Sequence, residues 1–310
     1  MIILNGGSIS GSPNKVWDAG YCIKPYAGLN SLRKNLSDFI DTKLVGTNPS
    51  TQTLVYINWQ DNGSSFTRNN SCWLNSSYLM SIPSWNTTHQ SQANGSLISP
   101  RHIVHASHYS PNVGATVKFV RPDNSIYETT IESRSAIQID LNQYGINSVY
   151  NTDITISKLA ADVPSPFVFA RIMPSNWLQY LPNLGYSQPK VPVFNIEQLR
   201  RCRVLDLGVV TKRPENSYIG RINLGKPTNS QRLSYYYDAI AGDSSGAIML
   251  IINNLPVVLT TFHTGLGTGA GAGSGPNLAD YKNEINAAMT TLGGGYQLTE
   301  IDLTNFPRYT

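Results

Sequence analysis

The sequence predicts an all-β protein of two antiparallel barrels or a sandwich, with one helix ahead of the strands and one behind them. Short β-rich runs recur between turn residues from Leu97 onward, in two groups separated by a crossover holding Pro164, Pro166, Pro174, Pro182, Pro189 and Pro192. Charged residues make up only 14% of the chain, against about 25% in soluble domains. Ser, Thr, Asn, Gly and Tyr take their place, as suits a turn-rich β protein working outside a reducing cytosol. Long segments with apolar residues at helical spacing number only two.

Residues 1 to about 27 read as an irregular arm broken by Gly, Ser and Pro. Leu29, Leu32, Leu36, Phe39, Ile40 and Leu44 then follow helical spacing, so a helix is expected over 29–44, with Asn30 or Ser31 as its cap and Gly46 beyond its end. A strand is expected over 53–59, and 60–96 is polar and Asn/Ser-rich. These parts up to residue 74 form an N-terminal extension. The first group of strands (96–99, 103–106, 116–120, 125–131, 137–140, 153–158) lies in a unit of about 75–160. The second (191–196, 203–210, 219–223, 234–237, 247–252, 256–262) lies in a unit of about 190–277. Gly265 to Gly275 is a low-complexity loop without the spacing of a phosphate-binding fingerprint. Tyr281, Ile285, Ala288, Met289 and Leu292 mark a helix over 278–292, ended by Gly293-Gly294-Gly295, and 296–310 is a tail.

The net charge is +4, but the positive charges are scattered. The densest cluster, Arg200-Arg201-Cys202-Arg203, is flanked by apolar residues and reads as a solvated strand, so no nucleic-acid partner is expected. No stretch reaches the roughly 18 apolar residues of a membrane span. The start, Met1 to Gly7, lacks the basic and apolar regions of a Sec signal. An extracellular or virion-associated protein is expected, reached after removal of a leader or by another route such as release in a phage particle. The cysteines Cys22, Cys72 and Cys202 are odd in number. A Cys22–Cys72 bridge and three free thiols both stay open.

Three stretches set one reactive side chain among apolar or small residues: Leu97 to His108, Asn151 to Leu159, and Ala241-Gly242-Asp243-Ser244-Ser245-Gly246-Ala247. A serine hydroxyl is a poor nucleophile until a base takes its proton. Imidazole has a suitable pKa, a carboxylate fixes its tautomer, and a tetrahedral oxyanion needs two convergent N–H donors. Gly242 and Ser244 have the spacing for that pair of donors.

Ala106-Ser107-His108 at the end of an apolar strand resembles the histidine motif of chymotrypsin-like serine peptidases. Asp153-Ile154, followed by alternating apolar residues, resembles the family's Asp-Ile-Ala-Leu segment, and Gly242 to Gly246 resembles Gly-Asp-Ser-Gly-Gly. The order His, Asp, Ser is also the family's. The resemblance implies a chymotrypsin-like domain over about 75–295, built of two six-stranded barrels and a C-terminal helix. It further implies a triad of His108, Asp153 and Ser244, an oxyanion hole from the N–H groups of Gly242 and Ser244, and no cofactor. Ser245 and Ala247 replace the family's glycine and proline, and Tyr109 replaces a cysteine, as in bacterial or phage members. Asp243 is expected in a buried ion pair or hydrogen bond; the family's partner for it is a newly cut N-terminal amine. His102 and His105 read as structural. His102, His105 and His108 cannot converge on a metal from one strand, so no metal is expected.

Asp238, six residues before Ser244, matches the pocket base of trypsin-like members, where a carboxylate holds a basic P1 side chain. The run Leu259 to Gly265, with Thr261 and His263, resembles the pocket wall of glutamyl endopeptidases, where a histidine contacts an acidic one. The two readings predict opposite substrates. The leading expectation is a serine endopeptidase with protein or peptide substrates. The alternatives are an esterase with the same triad and a virion or cell-surface structural protein that keeps a trypsin-like fold as an assembly or binding module, with structural partners met through 1–74.

Overall fold

The structure is a computed structural model describing residues 31–59, 65–84, 94–181, 184, 190–211, 220–264 and 273–309. The protein is mostly β, with a C-terminal helix.

Helix α1 (Leu32–Leu44) buries the stripe its sequence marks, Leu32, Leu36, Ile40 and Leu44. Ser31 caps it, accepting from the Lys34 N–H at 3.2 Å, and Gly46 follows in the left-handed region at φ +72°. The strand expected over 53–59 is shorter. Thr53 instead closes a helical turn, Pro49–Gln52, donating from Oγ1 to Pro49 O at 3.0 Å. Strand β1 (Tyr56–Trp59) then pairs antiparallel with β2 (Phe66–Arg68).

The first large sheet contains β3 (Ser96–Ser99), β4 (His102–Ala106), β5 (Thr116–Val120), β6 (Ile126–Asp140) and β7 (Val149–Leu159), in the order β3-β4-β7-β6-β5, all antiparallel. The two strands expected over 125–131 and 137–140 are one. No Gly or Pro interrupts 132–136, and a register shift between Ile131 and Ser133 bends β6 from its partner β5 toward β7.

The second sheet contains β8 (Arg171–Ile172), β9 (Pro192–Ile196), β10 (Cys202–Thr211), β11 (Arg221–Gly225), β12 (Ala247–Ile252), β13 (Leu255–Thr261) and β14 (Gly273–Pro276), in the order β14-β11-β10-β9-β12-β13-β8. Only β8 runs parallel to its neighbour. The described strands of the two large sheets thus number five and seven, where six and six were expected, and β1 and β2 form a separate pair. β14 lies inside the expected glycine loop. A Cβ on Gly275 would stand 2.1 Å from Thr261 O, so only glycine permits this approach. The strand expected over 234–237 does not form. Asn229 accepts from the Arg232 N–H at 3.1 Å and caps a helical turn, Ser230–Leu233, which ends in a tight turn at Tyr235. The expected C-terminal helix opens with a 3-10 turn, Leu278–Tyr281, and continues as α2 (Lys282–Leu292).

Strand alternation divides the core. Ala247, Met249 and Ile251 of β12 face a cluster shared by both sheets, while Ile248, Leu250 and Ile252 fill the second sheet's interior. Ile103, Val117, Phe119, Ile131 and Leu159 fill the first sheet's interior. Residues of the expected extension enter these clusters: Leu32 and Leu36 join the second interior, and Ile40, Leu44, Trp73 and Leu74 join the shared one. The expected tail is also packed, with Leu298, Ile301, Leu303 and Phe306 buried. Cys72 and Cys202 are free thiols, and Cys22 lies outside the described residues. Among the described residues, no helix is long and apolar enough to cross a membrane.

Candidate active site

β4 ends at Ala106, and the 3-10 turn Ser107–Tyr109 carries His108 off the sheet, leaving its side chain 43% exposed. Asp153 sits at a bulge in β7. Ile154 pairs with Ile137 and Asn151 pairs with Gln138, so Thr152 and Asp153 have no partners on β6. Asp153 takes φ +62°, a conformation costly for any residue with a side chain. Asn151 Oδ1 accepts its N–H at 3.0 Å, while Thr152 Oγ1 donates to Ile137 O at 2.8 Å and accepts from the Ile154 N–H at 3.2 Å.

The kink brings the carboxylate onto His108. Oδ1 accepts the His108 backbone N–H at 3.0 Å, and both oxygens lie 2.9 Å from Nδ1. With the proton on Nδ1, Nε2 is an acceptor, and it lies 2.8 Å from Ser244 Oγ. Ser244 occupies the turn before β12. Gly242 has φ +99°, and among the described residues neither its N–H nor that of Ser244 meets an intramolecular acceptor. Two N–H donors are thereby left for an incoming oxygen.

Ser245, which departs from the family motif, also has a left-handed backbone, φ +69°. Its fully buried hydroxyl accepts from the Ala106 N–H at 2.9 Å and donates to Tyr109 O at 2.7 Å, tying the Ser244 loop to β4 and the turn that carries His108. Asp243 meets Arg203 Nη1 at 3.0 Å, both side chains being 0% exposed. It also accepts the N–H groups of Gln198 and Ile240 at 3.2 Å. Burial pushes the Asp243 carboxyl up, and the Arg203 charge opposes that shift. The expected ion pair of Asp243 is therefore made with an internal arginine. Arg203 also donates to Asn195 Oδ1 at 3.0 Å and Tyr237 O at 3.1 Å. The basic cluster is consequently not a solvated strand: Arg203 is buried against Asp243, and Arg201 pairs with Glu197 at 2.8 Å.

The residues expected to line one pocket part company. Asp238 is exposed and accepts the Tyr236 hydroxyl at 2.8 Å; burial and Asp238 push that hydroxyl's pKa up to about 12. Thr261 is buried, and its Oγ1 has no hydrogen-bond partner among the described residues. His263 stands beside His108, the two ring centroids 5.3 Å apart. Its Nε2 lies 3.7 Å from Asp153 Oδ2, and its Nδ1 lies 2.6 Å from Arg221 Nη2.

His102 bonds Ser99 Oγ at 2.8 Å and Gly293 O at 2.9 Å. The His105 ring, wholly buried, bonds Asn94 O at 2.6 Å, and burial lowers its pKa to about 4. Among the described residues, one trio, His108, Asp153 and His263, offers ligand atoms within 4.8 Å of one another. A metal-bound histidine normally donates its second N–H to an acceptor, whereas His263 Nδ1 faces a guanidinium. The trio does not fit a metal. Sequence reasoning gave no part in this site to Arg203, Arg221 or Asn151; the one signal for Arg203 was an arginine within an apolar strand.

No family model matches the chain, and neither does any curated protein.

Proposed function

We propose that the protein is a chymotrypsin-like serine endopeptidase, with His108, Asp153 and Ser244 as its triad. The observation that carries this reading is the continuous run from Asp153 through Nδ1 and Nε2 of His108 to Ser244 Oγ, each step at 2.8–2.9 Å. Nε2 takes the Ser244 proton as Oγ attacks the substrate carbonyl, and Asp153 stabilises the imidazolium. The oxyanion is received by the N–H groups of Gly242 and Ser244. The amine leaves with the proton from His108, and water, activated by the same imidazole, releases the acyl group.

Backbone bonds support the barrel reading. Thr264 and Ser274 bridge the end of β13 to β14, as a ring of β9 to β14 with β8 added outside would require. The Leu97 N–H donates to Ser81 O at 2.7 Å and the Ser84 N–H to Lys118 O at 2.9 Å, so residues 81–84 link the edges β3 and β5.

The test is casein hydrolysis by wild type and Ser244→Ala, with labelling by a serine-reactive phosphonate. The expected result is turnover and labelling by wild type and neither by the variant. Folded wild type that neither turns over casein nor labels would remove the peptidase reading and favour the assembly-module one.

A further inference from the structure

Arg221 and His263 have no part in the chemistry above, yet they adjoin it. A guanidinium only donates and stays charged, so at 2.6 Å from Arg221 Nη2 the Nδ1 atom of His263 accepts. The ring's single proton then sits on Nε2, which lies 3.7 Å from Asp153 Oδ2, beyond hydrogen-bond length. Asp153 Oδ1 receives the His108 backbone N–H and Nδ1, whereas Oδ2 shares only the Nδ1 contact. His263 Nε2 thus adjoins Oδ2 without a hydrogen bond to it.

A second proton on His263 would have to enter at Nδ1, where the guanidinium already directs an N–H. Among the described residues, the charged or titratable groups facing His263 are Asp153 from β7, His108 from the turn after β4, and Arg221 from β11. Burial lowers its pKa, Arg221 and His108 add to that, and Asp153 alone opposes them.

We propose that Arg221 locks His263 as a neutral Nε2–H ring, making His263 a positioning residue that borders Asp153 without competing with His108 for the carboxylate. The kinetic half of this proposal rests on the peptidase reading; the tautomer does not. Without Arg221, the carboxylate would face two basic imidazoles, and a proton on His263 would oppose the imidazolium that His108 must become.

The test is imidazole nitrogen NMR on the full chain carrying Ser244→Ala. With Arg221 present, His263 should hold the Nε2–H tautomer without titrating between about pH 5 and 8, a range that spans an ordinary histidine pKa. Adding Arg221→Met should make it titrate, with unmoved His102 and His105 signals reporting an intact fold. In active enzyme, Arg221→Met should steepen the acid limb of kcat/KM toward two protons, an extra loss of about tenfold near pH 5.5. The double variant Arg221→Met/His263→Gln keeps an N–H donor and should restore a single-proton limb. An ordinary titration or an Nδ1–H tautomer at His263 with Arg221 present overturns the proposal, whether or not the protein cleaves peptides. An unchanged acid limb in Arg221→Met removes its kinetic half.

Discussion

The Ser245 hydroxyl accepts the Ala106 N–H at 2.9 Å and so joins the loop of the proposed nucleophile to the strand that ends at the proposed base. Two motifs far apart in sequence share one buried hydrogen bond. Ser245→Gly relieves the left-handed strain, worth about 1 kcal/mol. It also strips partners from the Ala106 N–H and Tyr109 O, at about 1–3 kcal/mol for each buried group. Urea unfolding should show a net loss of about 1–5 kcal/mol, and Ser245→Ala, which keeps the strain, should be about 1 kcal/mol worse than glycine. A glycine variant as stable as wild type would refute the tie.

Arg203→Met leaves a buried carboxylate with only backbone donors. Burial raises the folded pKa of Asp243 above an unfolded value of about 3.9. A raised carboxyl stabilises the fold fully below its unfolded pKa, and that contribution is lost as pH rises through the folded pKa. Removing Arg203 raises the folded pKa further. The variant should lose about 3–5 kcal/mol near pH 7 and clearly less near pH 4. Denaturant melts at both pH values check this, and a deficit independent of pH would refute it.

Asp153→Asn should leave the fold intact and lower kcat by about 10⁴, because an amide can settle His108 in the wrong tautomer. Thr152→Val, which removes the bond to Ile137 O and the acceptor for the Ile154 N–H, should cost about 1–3 kcal/mol of stability. It should also lower kcat while KM holds, since the bulge aims the carboxylate. Circular dichroism and steady-state kinetics on the two variants separate these effects. Native kcat in Thr152→Val would show that the bulge does not depend on that hydroxyl.

Much of this was legible in the sequence. Each triad candidate lies in a short apolar motif whose register carries its own information, and α1, α2 and most strands follow local periodicity. The contacts of Arg203 with Asp243 and of Arg221 with His263 were not legible, since both join residues about forty positions apart through sheet register. For the same reason His263, read locally as pocket wall, stands against Asp153. β14 was hidden because glycine's value there lies in what it leaves out, and periodicity does not register an absent side chain.

Helix α1 and the segment behind it are tied to the rest of the molecule at several described points. Asp41 grips Arg232 through both carboxylate oxygens at 2.6 and 2.7 Å, Arg68 donates to Val120 O at 2.6 Å, and the Trp73 indole donates to Cys202 O at 2.8 Å. One stretch of chain is thus anchored on both large sheets. Neither sheet can melt without releasing the strap, and releasing the strap strips apolar cover from the other. The molecule should absorb heat in one cooperative peak, as a single thermodynamic unit would.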